Sequence, residues 1–220
     1  MSALKATNLP CPAVNLVFLP GWGFQPEAMQ PLAEPVHKKL ALQGINATTK
    51  LLKLPTNFNA LAIQQLAQNL GAAPKGKFWL VGWSLGGMVA ALLAQNLAEK
   101  CAGLVLIATN ASFVHCPSWA AALPEKQLAT FSSNFSAQPT QVMRRFILLN
   151  AKGAASSKQL AQALHAKQLL INSTNLAGLQ AGLTALAQLN IESALTAFKG
   201  NTLAVLATGS NPEWVRLGSS

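Results

Sequence analysis

The sequence contains no aspartate. All six acidic residues are glutamates, Glu27, Glu34, Glu99, Glu125, Glu192 and Glu213, set against 16 lysines and arginines, so the chain of 220 residues carries a formal charge of +10. A basic balance can mean an acidic partner such as nucleic acid, anionic lipid or an acidic protein. Only 10% of the residues are charged, however, and no Lys/Arg-dense run occurs, which argues against an RNA-binding arm and leaves a lightly charged surface poor in acids as the plainer reading. Cysteine is equally scarce. Cys11, Cys101 and Cys116 are odd in number and widely spaced, with no Cys-x-x-Cys pair, so neither a disulfide framework nor a zinc site is expected and the thiols read as reduced and partly buried.

Other absences narrow the class further. There is no Gly-x-Gly-x-x-Gly after a strand, no Walker sequence and no His/Glu metal spacing, so no nucleotide, flavin or metal cofactor is expected. Pro10, Pro12 and Asn15 interrupt the stretch where a signal core would have to run, and Val14 to Leu19 is too short for one. The chain therefore reads as cytoplasmic, with neither membrane nor nucleic acid as a partner. No internal repeat or low-complexity linker divides it. A hydrophobic fraction of 51% promises a substantial core, and the length suits one globular domain.

What is present is an alternation. "VNLVFL" (14–19) predicts a buried strand meeting a tight loop at Pro20-Gly21, and Glu27 to Leu42 predicts a helix interrupted by Pro31 and Pro35 and closed at Gly44. "INATTKLLKLP" (45–55) reads as a strand, Leu61 to Leu70 as a helix, "KFWLVGW" (77–83) as a strand, "LGGMVAALLAQNLAEK" (85–100) as a helix and "AGLVLIA" (102–108) as a strand. Such alternation is the pattern of a mostly parallel sheet covered on both faces. From Ser112 to about Leu189 no β run occurs, only Ala-, Leu- and Gln-rich segments at helical spacing, and "TLAVLATG" (202–209) then returns to a strand. The expected arrangement is an α/β core over 1–111, a helical cap over 112–190 and the rest of the core over 191–220.

The apolar stretch from Lys77 to Lys100, uncharged for most of its length, is broken by Gly82-Trp83-Ser84-Leu85-Gly86 and then Gly87. It is a strand, a turn and a helix, not a membrane span. Gly-x-Ser-x-Gly between a strand and a helix is a nucleophile elbow, in which serine sits on a strained turn and small neighbours are needed because other chain packs against it. Ser84 is the candidate nucleophile. At the start of the following helix the Leu85 N–H lacks an intrahelical acceptor and can donate to a developing oxyanion. A second donor is expected from the loop "LPGWGFQPEAM" (19–29), with Trp22 giving its N–H while Gly21 and Gly23 let the backbone turn in close.

These segments, with "LVLIATNASF" (104–113) and "LAGLQAGLTALAQLNIESALTAFKGNTLAVLATGS" (176–210), resemble in order and spacing the α/β-hydrolases that cleave pimeloyl-[acyl-carrier protein] methyl ester in biotin synthesis. The likeness runs through almost the whole chain. It implies a serine carboxylesterase with a Ser, Asp, His triad, two backbone N–H groups as oxyanion hole and a basic helical cap that grips an acidic carrier. Carried over, Ser84 is the nucleophile and Trp22 and Leu85 the oxyanion donors. Arg144, Arg145, Lys152 and Lys158 would form the carrier-facing cap surface, with Gln141 and Gln162 standing near positions where the family has cap arginines.

The triad is where the chain departs from that pattern. Chain order should be Ser, then an acid after the strand "TLAVLA", then His. Alignment puts Pro212 at the acid position, with Asn211 and Glu213 on either side, and of these only Glu213 carries a charge that could hold an imidazolium. All three histidines, His37, His115 and His165, precede that region; His115 is the candidate base because the chain leaves the C-terminal edge of the sheet there. The sequence thus reads either as a truncated member lacking the last strand and helices, whose open sheet edge should promote self-association, or as a reduced relative. The functional readings are a carrier-directed methyl esterase, a general short-chain carboxylesterase, or a catalytically impaired hydrolase-fold module whose basic cap binds an acidic partner.

Overall fold

The computed structural model describes residues 13–72, 76–120 and 122–206. Its centre is a five-stranded parallel sheet in the order β2-β1-β3-β4-β5, formed by Val14–Leu19 (β1), Ala47–Leu51 (β2), Lys77–Trp83 (β3), Cys101–Ile107 (β4) and Asn201–Val205 (β5). Helices Gln30–Leu42 (α1), Ala60–Gly71 (α2) and Leu85–Leu97 (α3) connect the first four strands. Four more, Glu125–Ala137 (α4), Pro139–Ala151 (α5), Ser157–Ala166 (α6) and Ser173–Gln188 (α7), follow β4, and Glu192–Ala197 (α8) leads into β5.

Strand β1 shows why both faces need cover. Its side chains alternate, so Leu16 and Phe18 pack with Met29 and Ala33 on the α1 side, while Val17 and Leu19 join Leu80, Ile63 and Ala67 on the side of α2 and α3. Helix α3 is buried along most of its length, from Leu85 through Leu97, which accounts for its lack of charge. No helix among the described residues is long and apolar enough to cross a membrane.

Two sequence expectations shift in detail. The first helical segment is a 3-10 turn over Pro26–Met29 followed by α1, with Pro31 in its first turn and Pro35 inside it. Pro31 begins a helix without loss because first-turn N–H groups have no acceptor, whereas Pro35 removes one bond from the ladder. The strand expected up to Pro55 ends at Leu51, and only the Leu52 N–H continues the pairing, to the Phe18 carbonyl at 2.8 Å.

The ends of the helical segment meet at the sheet: Ser112 and Asn190 form an antiparallel bridge, and the Ile191 N–H donates to the Ala111 carbonyl at 2.8 Å. β5 pairs with β4 along one edge and is exposed throughout, including Leu203 and Val205. Its other edge pairs with no strand among the described residues.

Candidate active site

The sheet order changes direction between β1 and β3, whose helices leave toward opposite faces, and the loops at their C-terminal ends open a crevice there. Leu19 and Gly82 are register partners, so the chain leaves both strands at the same level, into Pro20–Phe24 on one side and Trp83–Leu85 on the other.

Ser84 occupies the turn between β3 and α3 with φ 52° and ψ −120°, a left-handed backbone that a non-glycine residue adopts only under strain. Four neighbours hold it. Its N–H donates to the Ile107 carbonyl at the end of β4 at 2.9 Å; its own carbonyl accepts from Gly87 N–H at 2.9 Å, from Met88 N–H at 3.2 Å and from the Thr109 hydroxyl at 3.2 Å. The flanking glycines are required by close approach. A methyl on Gly82 would lie 2.4 Å from the Gly86 carbonyl oxygen, and one on Gly86 would lie 2.3 Å from that of Pro20. Leu85 then opens α3, where its N–H precedes any intrahelical acceptor.

On the β1 side, Gly21 lies against the Trp83 ring and Gly23 turns the chain at φ +83°. Between them Trp22 is buried, its indole N–H donating to the Leu179 carbonyl of α7 at 2.8 Å. The same indole meets Phe131, Phe135 and Phe146 edge-on, with ring centroids 5.2–5.6 Å apart.

A cavity of about 340 Å³ lies over this floor. Gly21, Trp22, Trp83, Ser84 and Ala108 form its base, and α4, α5 and α7 supply Leu128, Phe131, Phe146, Leu183 and Leu186 as apolar walls. Gln127, Asn150 and Lys152 are its polar members besides Ser84. A half-buried serine at the bottom of an apolar, cap-covered cavity, beside the first N–H groups of a helix, suits attack on the carbonyl of an acyl chain.

The structure divides the remaining sequence candidates. His115 does not reach the cavity: its side chain is exposed and its N–H pairs with the Leu123 carbonyl, while its neighbours Phe113 and Leu123 are the residues that line the wall. His37 bonds Thr49 at 3.0 Å on the far side of the fold, and His165 borders a groove on α6. Glu213 lies outside the described residues. Among the described residues no imidazole or carboxylate lines the cavity.

Nor do the four cap cations share one surface. Arg144 and Lys158 border a groove of about 470 Å³ between α5 and α6, Arg145 lines a separate cleft between α4 and α5, and Lys152 belongs to the Ser84 cavity. The sequence reading missed the aromatic wall, although Phe131 and Phe135 stand four apart and so share one helix face. Neither described cysteine takes part. Cys101 is buried, and burial pushes its thiol up to about 11 against a smaller opposing effect of its bond to the Gly103 carbonyl; Cys116 is pulled below the ordinary thiol value, chiefly by the Ser118 hydroxyl.

Residues 42–211 match the alpha/beta hydrolase fold family. The chain is 30% identical over 187 residues to the pimeloyl-[acyl-carrier protein] methyl ester esterase of Klebsiella pneumoniae, covering 82% of this chain and 69% of that one. It is 32% identical over 191 residues to the same-named enzyme of Xylella fastidiosa, with the same two shares of 82% and 69%. A biotin biosynthesis bifunctional protein of Saccharophagus degradans is 31% identical over 163 residues, and the chain covers 27% of its length. Among solved structures, a hydrolase from Oleispira antarctica superposes with a TM-score of 0.63 at 11% identity, covering 92% of this chain and 77% of that one. The enol-lactonase of Burkholderia xenovorans gives 0.62 at 15% identity, with 93% and 77% covered. At such identities the structures speak for the fold alone, and it is the sequence relatives that add a group within it. The chain belongs to the alpha/beta hydrolase fold family and, within it, to the pimeloyl-[acyl-carrier protein] methyl ester esterases.

Proposed function

We propose that this chain is a carboxylic ester hydrolase of biotin synthesis with Ser84 as its nucleophile. The observation that carries the reading is Ser84, held in a strained left-handed turn on the floor of an apolar cavity. In the proposed reaction Ser84 Oγ attacks the ester carbonyl carbon, the Trp22 and Leu85 N–H groups receive the developing oxyanion, and the alcohol leaves to give an acyl-enzyme that water hydrolyses. Glu213 is the proposed acid of the triad. No imidazole is assigned as base, because none of the three histidines lines the cavity. An oxyanion hole and substrate binding alone still leave catalysis on the order of 10³ over water.

The relatives' names support a methyl ester on an acyl-carrier protein as substrate. The apolar walls suit its acyl chain, while Asn150 and Lys152 at the polar side suit the arm that joins chain to carrier. The Arg144 and Lys158 groove is the proposed carrier contact. A general short-chain esterase is the second reading, favoured by the separation of Arg145 from that groove.

The deciding experiment compares hydrolysis of p-nitrophenyl acetate and butyrate by the chain and by Ser84→Ala, then a carrier-linked methyl ester against both. Turnover lost on the substitution supports the nucleophile. Rates equal to those of Ser84→Ala would overturn it and leave a hydrolase-fold module that binds an acidic partner. Preference for the carrier-linked ester, with KM raised by Arg144→Ala and Lys158→Ala, supports the carrier reading, and equal turnover of simple esters overturns that part.

A further inference from the structure

The loop that carries Trp22 is hydrogen-bonded to the cap. The Gln25 N–H donates to the Lys167 carbonyl, the Leu169 N–H to the Gly23 carbonyl and the Gln25 side-chain amide to the Gln168 carbonyl, each at 2.8 Å. A fourth bond of 2.8 Å joins the Trp22 indole to Leu179. Phe24 and Gln168 complete a short antiparallel bridge between the two segments. Helix α7 then reaches the other proposed donor. A methyl on Gly182 would stand 2.7 Å from Trp22 Cδ1 and 3.5 Å from Leu85 Cδ2, so both side chains rest against one turn of α7. Trp22, Leu85, Leu179 and Leu183 are all at most 3% exposed, which leaves no room for the loop to settle differently under the same cap.

We infer that residues 167–182 of the cap set the position of the oxyanion hole, with the Trp22 indole and Gln25 as the positioning groups. The inference rests on the proposed assignment of Trp22 and Leu85 as donors. Its physical basis is that a donor is worth most when fixed where charge will develop, and a displacement of an ångström forfeits much of that. Trp22→Phe keeps an aromatic ring against Phe131, Phe135 and Phe146 but deletes the bond to Leu179. Gln25→Ala deletes one side-chain bond at a half-buried site and leaves the backbone pairing in place, so its fold is not at stake.

The test pairs turnover with a tetrahedral adduct. Butylboronic acid bonds to Ser84 Oγ through boron, the serine proton passes to solvent, and the adduct presents negative boronate oxygens to the hole. Expected for both variants is a loss of about tenfold in kcat for p-nitrophenyl butyrate with KM within twofold, and a matching loss in boronate affinity. Calorimetric binding of ethyl butyrate by Gln25→Ala, which does not line the cavity, should stay unchanged in a Ser84→Ala background. Unaltered boronate affinity, an equal loss of ester binding, or no boronate binding by the parent chain would overturn the inference. Boronate binding that the variants weaken, in a chain without Ser84-dependent turnover, would sink the esterase reading while sustaining this one. Ser84-dependent turnover that both variants retain in full would do the reverse.

Discussion

Gly86 stands directly beneath Pro20: a single methyl added to it would lie 2.3 Å from the Pro20 carbonyl oxygen and 2.5 Å from that of Leu19. The end of β1 and the first turn of α3 therefore touch backbone to backbone, which sets the loop bearing Trp22 beside the turn bearing Ser84.

Gly86→Ala should consequently disturb more than one loop. Backbone cannot yield as a side-chain end can, so overpacking here is expected to cost about 2–3 kcal/mol. Urea unfolding followed by tryptophan fluorescence measures it, and a midpoint equal to the parent's would contradict the close packing.

Ser84→Gly is expected to act in the opposite direction. Glycine takes φ 52° without strain, so the variant should gain about 1 kcal/mol of stability while losing the nucleophile. Ser84→Ala keeps a Cβ and should not gain it. The comparison of the two urea midpoints isolates backbone strain from loss of the hydroxyl.

The two described cysteines should separate by reactivity. Cys116, at the surface and lowered by Ser118, should react with Ellman's reagent in the folded chain, whereas Cys101 should react only after unfolding. Since burial raises the Cys101 pKa to about 11, folding favours its protonated form. Its contribution to stability is complete below the ordinary thiol range and declines as pH rises from there toward about 11. Unfolding midpoints from pH 8 to 11, beside Cys101→Ala, would show it; parallel curves for the two proteins would refute it.

The exposed β5 carries Leu203 and Val205 on an edge that no other described strand pairs. Edge pairing between copies is the expected result, seen as a mass above 23.1 kDa in light scattering that falls on dilution. Val205→Lys should lower it. A monodisperse monomer across the concentration range would count against the open edge as an interface.

Most of the architecture was legible in the residues themselves. Strands and helices followed their own periods: the apolar run of β1, the Gly-x-Ser-x-Gly turn and the charge-free α3 each state their conformation locally, because alternation and turn chemistry are short-range properties. Ser84, Trp22 and Leu85 could be singled out for the same reason. What the chain could not state was which distant groups meet. His115 read as a candidate base from the edge at which it leaves the sheet, yet the cavity wall is built by its neighbours Phe113 and Leu123. Lys152 and Arg144 looked alike as cap cations, but Lys152, just past the end of α5, lines the Ser84 cavity, while Arg144 within α5 borders the groove shared with α6. The bond from the Trp22 indole to Leu179 spans 157 residues, and no local signal encodes it. Sequence determined the elements and the strained serine between them; only the packing of α4 to α7 onto the sheet decided what surrounds that serine, since contacts between segments far apart in the chain depend on helix angles that no single segment specifies.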